Sequence, residues 1–225
     1  MSEPTGQAAT LLLGEAAELL PILQSRAPQD FELATVLPGW TVRDVLAHCS
    51  AALHAASSGV LHGFTAQDNQ RDVDERRPWP LEKLLAELAD GYTGAARAID
   101  AAGGKLDALA LGEWVHGGDV RDALGLPGAY ASTGIDDALD LLAARTRSRP
   151  VPRTEVRLVP DHHAGLARAD AAPVRALGLG PDDGPVTAWL ETDPATLIRL
   201  VAGRAPDPSR YTLRGAEPEQ LLVFS

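Results

Sequence analysis

The chain of 225 residues is short of several things. Its one cysteine, Cys49, excludes an internal disulfide and a cysteine-rich zinc knuckle. No apolar run approaches the ~20 residues a bilayer-spanning helix needs, and no basic start followed by a long apolar stretch marks an export signal. Bases are outnumbered, with 20 Lys and Arg against 31 Asp and Glu and a formal charge of −11. That balance argues against a nucleic-acid backbone as partner, because phosphate binding needs clustered Lys and Arg. No serine nucleophile elbow is present. Gly125-Leu-Pro-Gly128 and Gly178-Leu-Gly180 lack the strand-turn-helix pattern of a phosphate cradle and read as turns. What remains is ordinary: 45% apolar and 23% charged residues, the composition of a globular protein with a real core. The expectation is a soluble, cytoplasmic protein that acts on a small molecule, away from membranes and nucleic acid.

The two parts of the chain differ in pattern. Up to about residue 149, Ala- and Leu-rich stretches repeat at helical period. Leu12, Ala16, Leu19, Leu20 and Leu23 place a helix over 5–26. Thr41 with Asp44 forms an Asp version of a capping box and opens a second helix to about residue 61, with Val42, Val45, Leu46, Cys49, Ala52 and Leu53 on one face. Residues 65–80, polar and ending Pro-Trp-Pro, read as a long loop. Further helices are expected over 81–102, 106–124 and 135–147, with Gly103-Gly104 and Gly125 as stops. Long helices with short connections predict an up-and-down bundle over residues 1–149. Pro150 and Pro152 favour an extended linker. Residues 153–225 then read as a small α+β domain. Strands are expected at 155–159, 186–190 and 211–214. A helix starts at Asp193-Pro194, a cap followed by Pro at the first helical position.

The fourth of the expected helices carries the chemistry. Leu109, Val120, Ala123 and Leu124 fall on one stripe at 100° per residue, and Glu113 and His116 fall inside it, three residues apart. A carboxylate on an apolar face is costly unless it is paired, hydrogen-bonded or bound to metal. An Arg partner for Glu113 and a carbonyl for His116 satisfy that requirement. So does a metal, since a Glu-x-x-His pair projecting into a bundle follows metal-site logic. His48, at the border of the second helix's apolar face, supplies a third ligand. His48, Glu113 and His116 would leave a fourth position open, as catalytic zinc requires. Asp119, three residues beyond His116, either orients that ring or is solvated. His54 points away from the apolar face, and Cys49 reads as a core thiol. Asp161-His162-His163 lies in a polar loop and reads as solvated.

Two segments resemble the mycothiol-dependent maleylpyruvate isomerase family, part of the DinB-like metalloenzyme superfamily. Leu37-Pro-Gly-Trp-Thr-Val-Arg-Asp-Val-Leu-Ala-His48 is similar to its second-helix motif. Glu113-Trp-Val-His-Gly-Gly-Asp-Val-Arg-Asp-Ala-Leu-Gly125 is similar to its fourth-helix motif. The resemblance implies a DinB-like helical bundle followed by a C-terminal domain similar to sterol-carrier proteins. It implies a divalent metal, zinc, held by His48, Glu113 and His116, and mycothiol as the thiol co-substrate. It also implies a catalytic arginine in the C-terminal domain, for which Arg204 is the match. One position departs from the family: its Glu lies four residues before its His, where this chain has Gly112. The shift turns the ligand vector by about 100°. It leaves three outcomes open: a moved ligand, a bulge that restores it, or loss of the metal.

The chemistry implied is thiol activation. A free thiol of pKa near 8.5 is mostly protonated at neutral pH, and only the thiolate is a good nucleophile. Zinc deprotonates a coordinated thiol. Addition of sulfur to a conjugated double bond, rotation and elimination give cis–trans isomerisation; addition alone gives an S-transferase. Arg204 would hold a substrate carboxylate, and Asp119 would orient His116. Two further readings are a metal-free small-molecule binding or regulatory protein of the same fold, and a zinc hydrolase with water in the open position.

Overall fold

The computed structural model describes residues 4–61, 63, 65–160 and 175–224. His62 and the Asp161-His162-His163 run lie outside the described residues. The helices are α1 (Gln7–Gln24), α2 (Val42–Ser58), α3 (Ala66–Arg76), α4 (Leu81–Ala101), α5 (Asp107–Ala123), α6 (Ile135–Thr146) and α7 (Pro194–Val201). The strands are β1 (Thr154–Leu158), β2 (Arg175–Leu179), β3 (Ala188–Thr192) and β4 (Tyr211–Arg214). A helical bundle thus precedes a small α+β portion, the fold class expected from the sequence. None of the described helices is long and apolar enough to cross a membrane.

The chain divides into two compact units, Met1–Ala138 and Leu139–Ser225. The division falls inside α6, upstream of the proline-rich segment. Side chains late in α6 explain this. Thr146 Oγ1 accepts a hydrogen bond from the Gly180 backbone at 2.9 Å, Asp140 pairs with Arg175, and the Arg145 guanidinium lies over the Phe224 ring.

In the first unit, α1 and α2 each pack against α4 and α5. The buried stripes are the expected ones: Leu12, Leu19 and Leu23 on α1, and Val45, Leu46, Cys49 and Leu53 on α2. Each large apolar side chain so buried contributes roughly 1.5–3 kcal/mol. The segment read as a loop over 65–80 instead contains α3. It was hidden because it carries little apolar periodicity; Val73 is its one fully covered apolar side chain. Polar interactions hold it. Thr65 caps its start by accepting from the Asp68 backbone, Arg71 pairs with Asp68, and Gln70 bonds Asp74. At its end the buried Arg76 grips Glu87 of α4 through two hydrogen bonds, at 2.7 and 3.1 Å.

In the second unit the strand order is β2-β1-β3-β4, with β1 and β3 parallel and the outer pairs antiparallel. Buried Val156, Leu158, Leu179, Ala188 and Leu190 line the inner face, with Leu197, Ile198, Leu200 and Val201 of α7 also buried. Asp193 caps α7 by accepting from the Thr196 backbone at 2.9 Å. Strand β2 has no counterpart in the sequence reading, and Gly178, read there as a turn residue, lies within it.

Candidate active site

The capping box sets where α2 begins. Thr41 Oγ1 accepts from the Asp44 backbone at 3.2 Å, and Asp44 Oδ2 accepts from the Thr41 backbone at 3.1 Å. A turn through Gly39, at φ +80°, precedes it and delivers Trp40 beside His48. The two ring centroids are 5.4 Å apart. Trp40 Nε1 donates to Gln70 of α3 at 3.2 Å, so the unexpected helix fixes the wall of the site.

From α5, His116 meets His48. Their rings stand edge to face, centroids 5.1 Å apart at 82°. Sequence reasoning placed both on facing helices, and the structure brings them together. Burial pushes the His48 imidazole down to about 3, and His116 adds to the shift. His48 is therefore neutral at physiological pH, and its Nδ1 is buried without a partner among the described residues. His116 retains 17% side-chain exposure against 0% for Asp119, so it is the open member of the group. Its Nδ1 lies 3.0 Å from Asp119 Oδ2. Asp119 Oδ1 accepts the Tyr130 hydroxyl at 2.6 Å.

Glu113 goes elsewhere. It is buried, with the Cys49 thiol among the groups that act on its carboxyl, and its Oε2 has no hydrogen-bond partner among the described residues. Burial raises its pKa to about 8, against the pull of Cys49, with Glu15 adding to the rise. Burial and Glu113 also push the Cys49 thiol well above its ordinary value, so Cys49 is a core thiol and not a nucleophile. Among the described residues, no three His, Cys, Asp or Glu side chains come together in a way that could hold a metal ion. The donor set therefore does not fit a three-ligand zinc centre. Helix α5 runs as regular α-helix through this stretch, with no bulge to restore the family's Glu position.

Sequence reasoning missed a second buried pair. Glu15 of α1 and Arg121 of α5 form an ion pair of 2.8 Å, both nearly inaccessible. Burial raises Glu15 to about 7 even against Arg121. Gly117 makes room for it, because a Cβ there would stand 1.7 Å from Glu15 Oε1. Gly118 likewise admits the Tyr130 ring, which would meet its Cβ at 2.4 Å. The adjacent glycines were the available signal: two together inside a helix imply close approach by neighbours. Arg204, in the second unit, follows α7 and donates to the Ala202 carbonyl at 2.6 Å.

The profile described as the mycothiol maleylpyruvate isomerase N-terminal domain matches residues 12–131, more than half of the chain. Two crystal structures of the mycothiol-dependent maleylpyruvate isomerase, one of a histidine-to-alanine mutant, are similar in fold. Each has a TM-score of 0.53 at 14% identity, and the match covers 94% of this chain and 94% of that one. No curated protein sequence matches significantly.

Proposed function

Because the chain belongs to the family of the mycothiol maleylpyruvate isomerase N-terminal domain, we propose that it is a mycothiol-dependent enzyme that isomerises, or adds the thiol to, a small conjugated and carboxylate-bearing electrophile. The observation that carries this reading is the His116 imidazole, bonded through Nδ1 to Asp119 and set against a neutral His48. A carboxylate at one nitrogen leaves the other free as a base.

The steps balance without an added reactant. The thiol proton passes to His116 Nε2, and the thiolate sulfur adds to the β-carbon of the conjugated double bond. A C–S bond forms, and the π pair moves to the substrate's carbonyl as an enolate. His48, neutral, hydrogen-bonds that oxygen as charge develops. The former double bond is now single and rotates. Return of the electron pair rebuilds the double bond, expels the thiolate, and lets it recover its proton from His116. If His116 instead protonates the enolate carbon, the product is the S-adduct. The resemblance also gives a catalytic arginine to the C-terminal domain, for which Arg204 is the match; no step here is routed through it. We assign thiol activation to His116 rather than to zinc because no three candidate donors come together among the described residues. No step is routed through a metal.

The displaced Glu113 also favours a second reading, a metal-free small-molecule binding or regulatory protein. A zinc hydrolase has less support, since it needs the same three-ligand set, which does not come together among the described residues. One assay separates the three. Maleylpyruvate is offered with and without mycothiol, and isomerisation is followed by absorbance. The expected result is turnover that requires the thiol and falls at least about a hundredfold in His116→Ala. Turnover independent of thiol, or binding without turnover, overturns the reading.

A further inference from the structure

Asp119 is fully buried, and a carboxylate in that position is costly unless its oxygens are satisfied. Two of its partners are known. Oδ2 faces His116 Nδ1 at 3.0 Å, and Oδ1 accepts the Tyr130 hydroxyl at 2.6 Å. Tyr130 reaches this place through two features of the chain. The turn after α5 runs through Gly125 and Gly128, both at positive φ. The ring then lies on Gly118, where any Cβ would collide with it. The ring is itself buried, so it has little freedom to leave.

We propose that Tyr130 is a positioning residue that acts through Asp119 on His116. The proposal rests on the function assigned above, in which His116 Nε2 accepts the thiol proton. The phenol hydroxyl donates to Oδ1 and so fixes the rotation of the carboxyl group. The fixed Oδ2 then accepts from His116, which places the imidazole proton on Nδ1 and the lone pair on Nε2. An outer partner of this kind sets the tautomer and the ring direction of the histidine it serves. Gly118 belongs to the same device, because it is what lets the tyrosine come within reach of the aspartate.

The test joins kinetics to a reading of the tautomer. In Tyr130→Phe the ring stays on Gly118 and only the hydroxyl is lost. Turnover with mycothiol is expected to fall about tenfold to a hundredfold in kcat with KM little changed. Nitrogen-15 spectra of the imidazoles are recorded in alkaline buffer, where histidines are neutral. The native chain is expected to show His116 protonated at Nδ1. Tyr130→Phe and Asp119→Asn are both expected to shift that signal towards the Nε2-protonated form. Asp119→Asn shows the size of shift that full loss of the carboxylate produces. A native His116 protonated at Nε2, or a tautomer unmoved by Tyr130→Phe, overturns the proposal, and the native spectrum alone can do so if Tyr130→Phe does not fold. The spectra decide this even if the chain turns over no thiol adduct, so failure of the functional reading is seen separately.

Discussion

A carboxyl group as deeply buried as that of Glu113 has two ways to avoid the cost of a bare charge: bind a cation, or keep its proton. A pKa pushed up to about 8 by burial points to the second. A neutral acid and a neutral amide have nearly the same shape. Glu113→Gln is therefore expected to match the native melting temperature only below the ordinary carboxyl value of 4.5, and to become progressively the more stable form as pH rises from there to about 8, because over that range the unfolded native chain has released a proton that the folded chain still holds. Thermal melts across that range check it; a large loss at neutral pH would mean the charge is used. Glu15 gives the pH dependence. Burial raises it from an ordinary 4.5 to about 7, so between those values the folded chain holds a proton that the unfolded chain has released. The stability this provides is complete below 4.5 and is lost as pH rises to about 7. In Glu15→Gln the fall of melting temperature with pH should flatten across that window. An unchanged slope would show that Arg121 keeps Glu15 ionised. Neither residue's destination was legible in the sequence. A helical wheel says which face a side chain shares, but not which residue of a neighbouring helix it meets. His48 and His116 were legible because both sit on or beside strong apolar stripes that had to face each other across the bundle.

At the scale of elements, close approach of helices to α5 depends on missing side chains. A Cβ at Gly117 would stand 1.7 Å from Glu15 Oε1, and Glu15 is tied to Arg121, so it has nowhere to swing. Gly117→Ala is expected to cost about 1–3 kcal/mol, the usual penalty of overpacking, despite alanine's better helix propensity. Chemical denaturation measures it, and a stabilised variant would show that Glu15 relaxes freely. Helix α3 has the opposite weakness. It covers little apolar surface and depends on the Arg76–Glu87 contact. Glu87→Ala leaves the buried Arg76 without its carboxylate, and hydrogen exchange over 66–76 is expected to speed up more than over α2 or α4. Uniform exchange across all three helices would contradict this. The same physics explains what was legible. The five helices expected before residue 150 announce themselves by apolar period. Helix α3 has no stripe to read, and β2 fully buries only Leu179 and contains Gly178, so neither leaves a pattern.

At the scale of the whole molecule, metal binding is a question of stability as well as chemistry. A ligand bound only to the native state stabilises it, by about 2.7 kcal/mol at a hundredfold excess over Kd. For a chain of this size that corresponds to a shift of roughly 5–10 °C in melting temperature. A three-ligand zinc centre tying α2 to α5 would therefore be easily seen. The donors are arranged otherwise: the two histidines face each other, Asp119 holds one of them, and no three candidate donors come together among the described residues. The expected outcome is a melting temperature unmoved by chelator and by added zinc, in the native chain and in Glu113→Gln alike. A fall of several degrees on chelation, abolished by His48→Ala, would restore a metal to the bundle and remove His116 from its assigned role as base. The two outcomes cannot coexist, since a nitrogen lone pair given to zinc is no longer free to take a proton from a thiol.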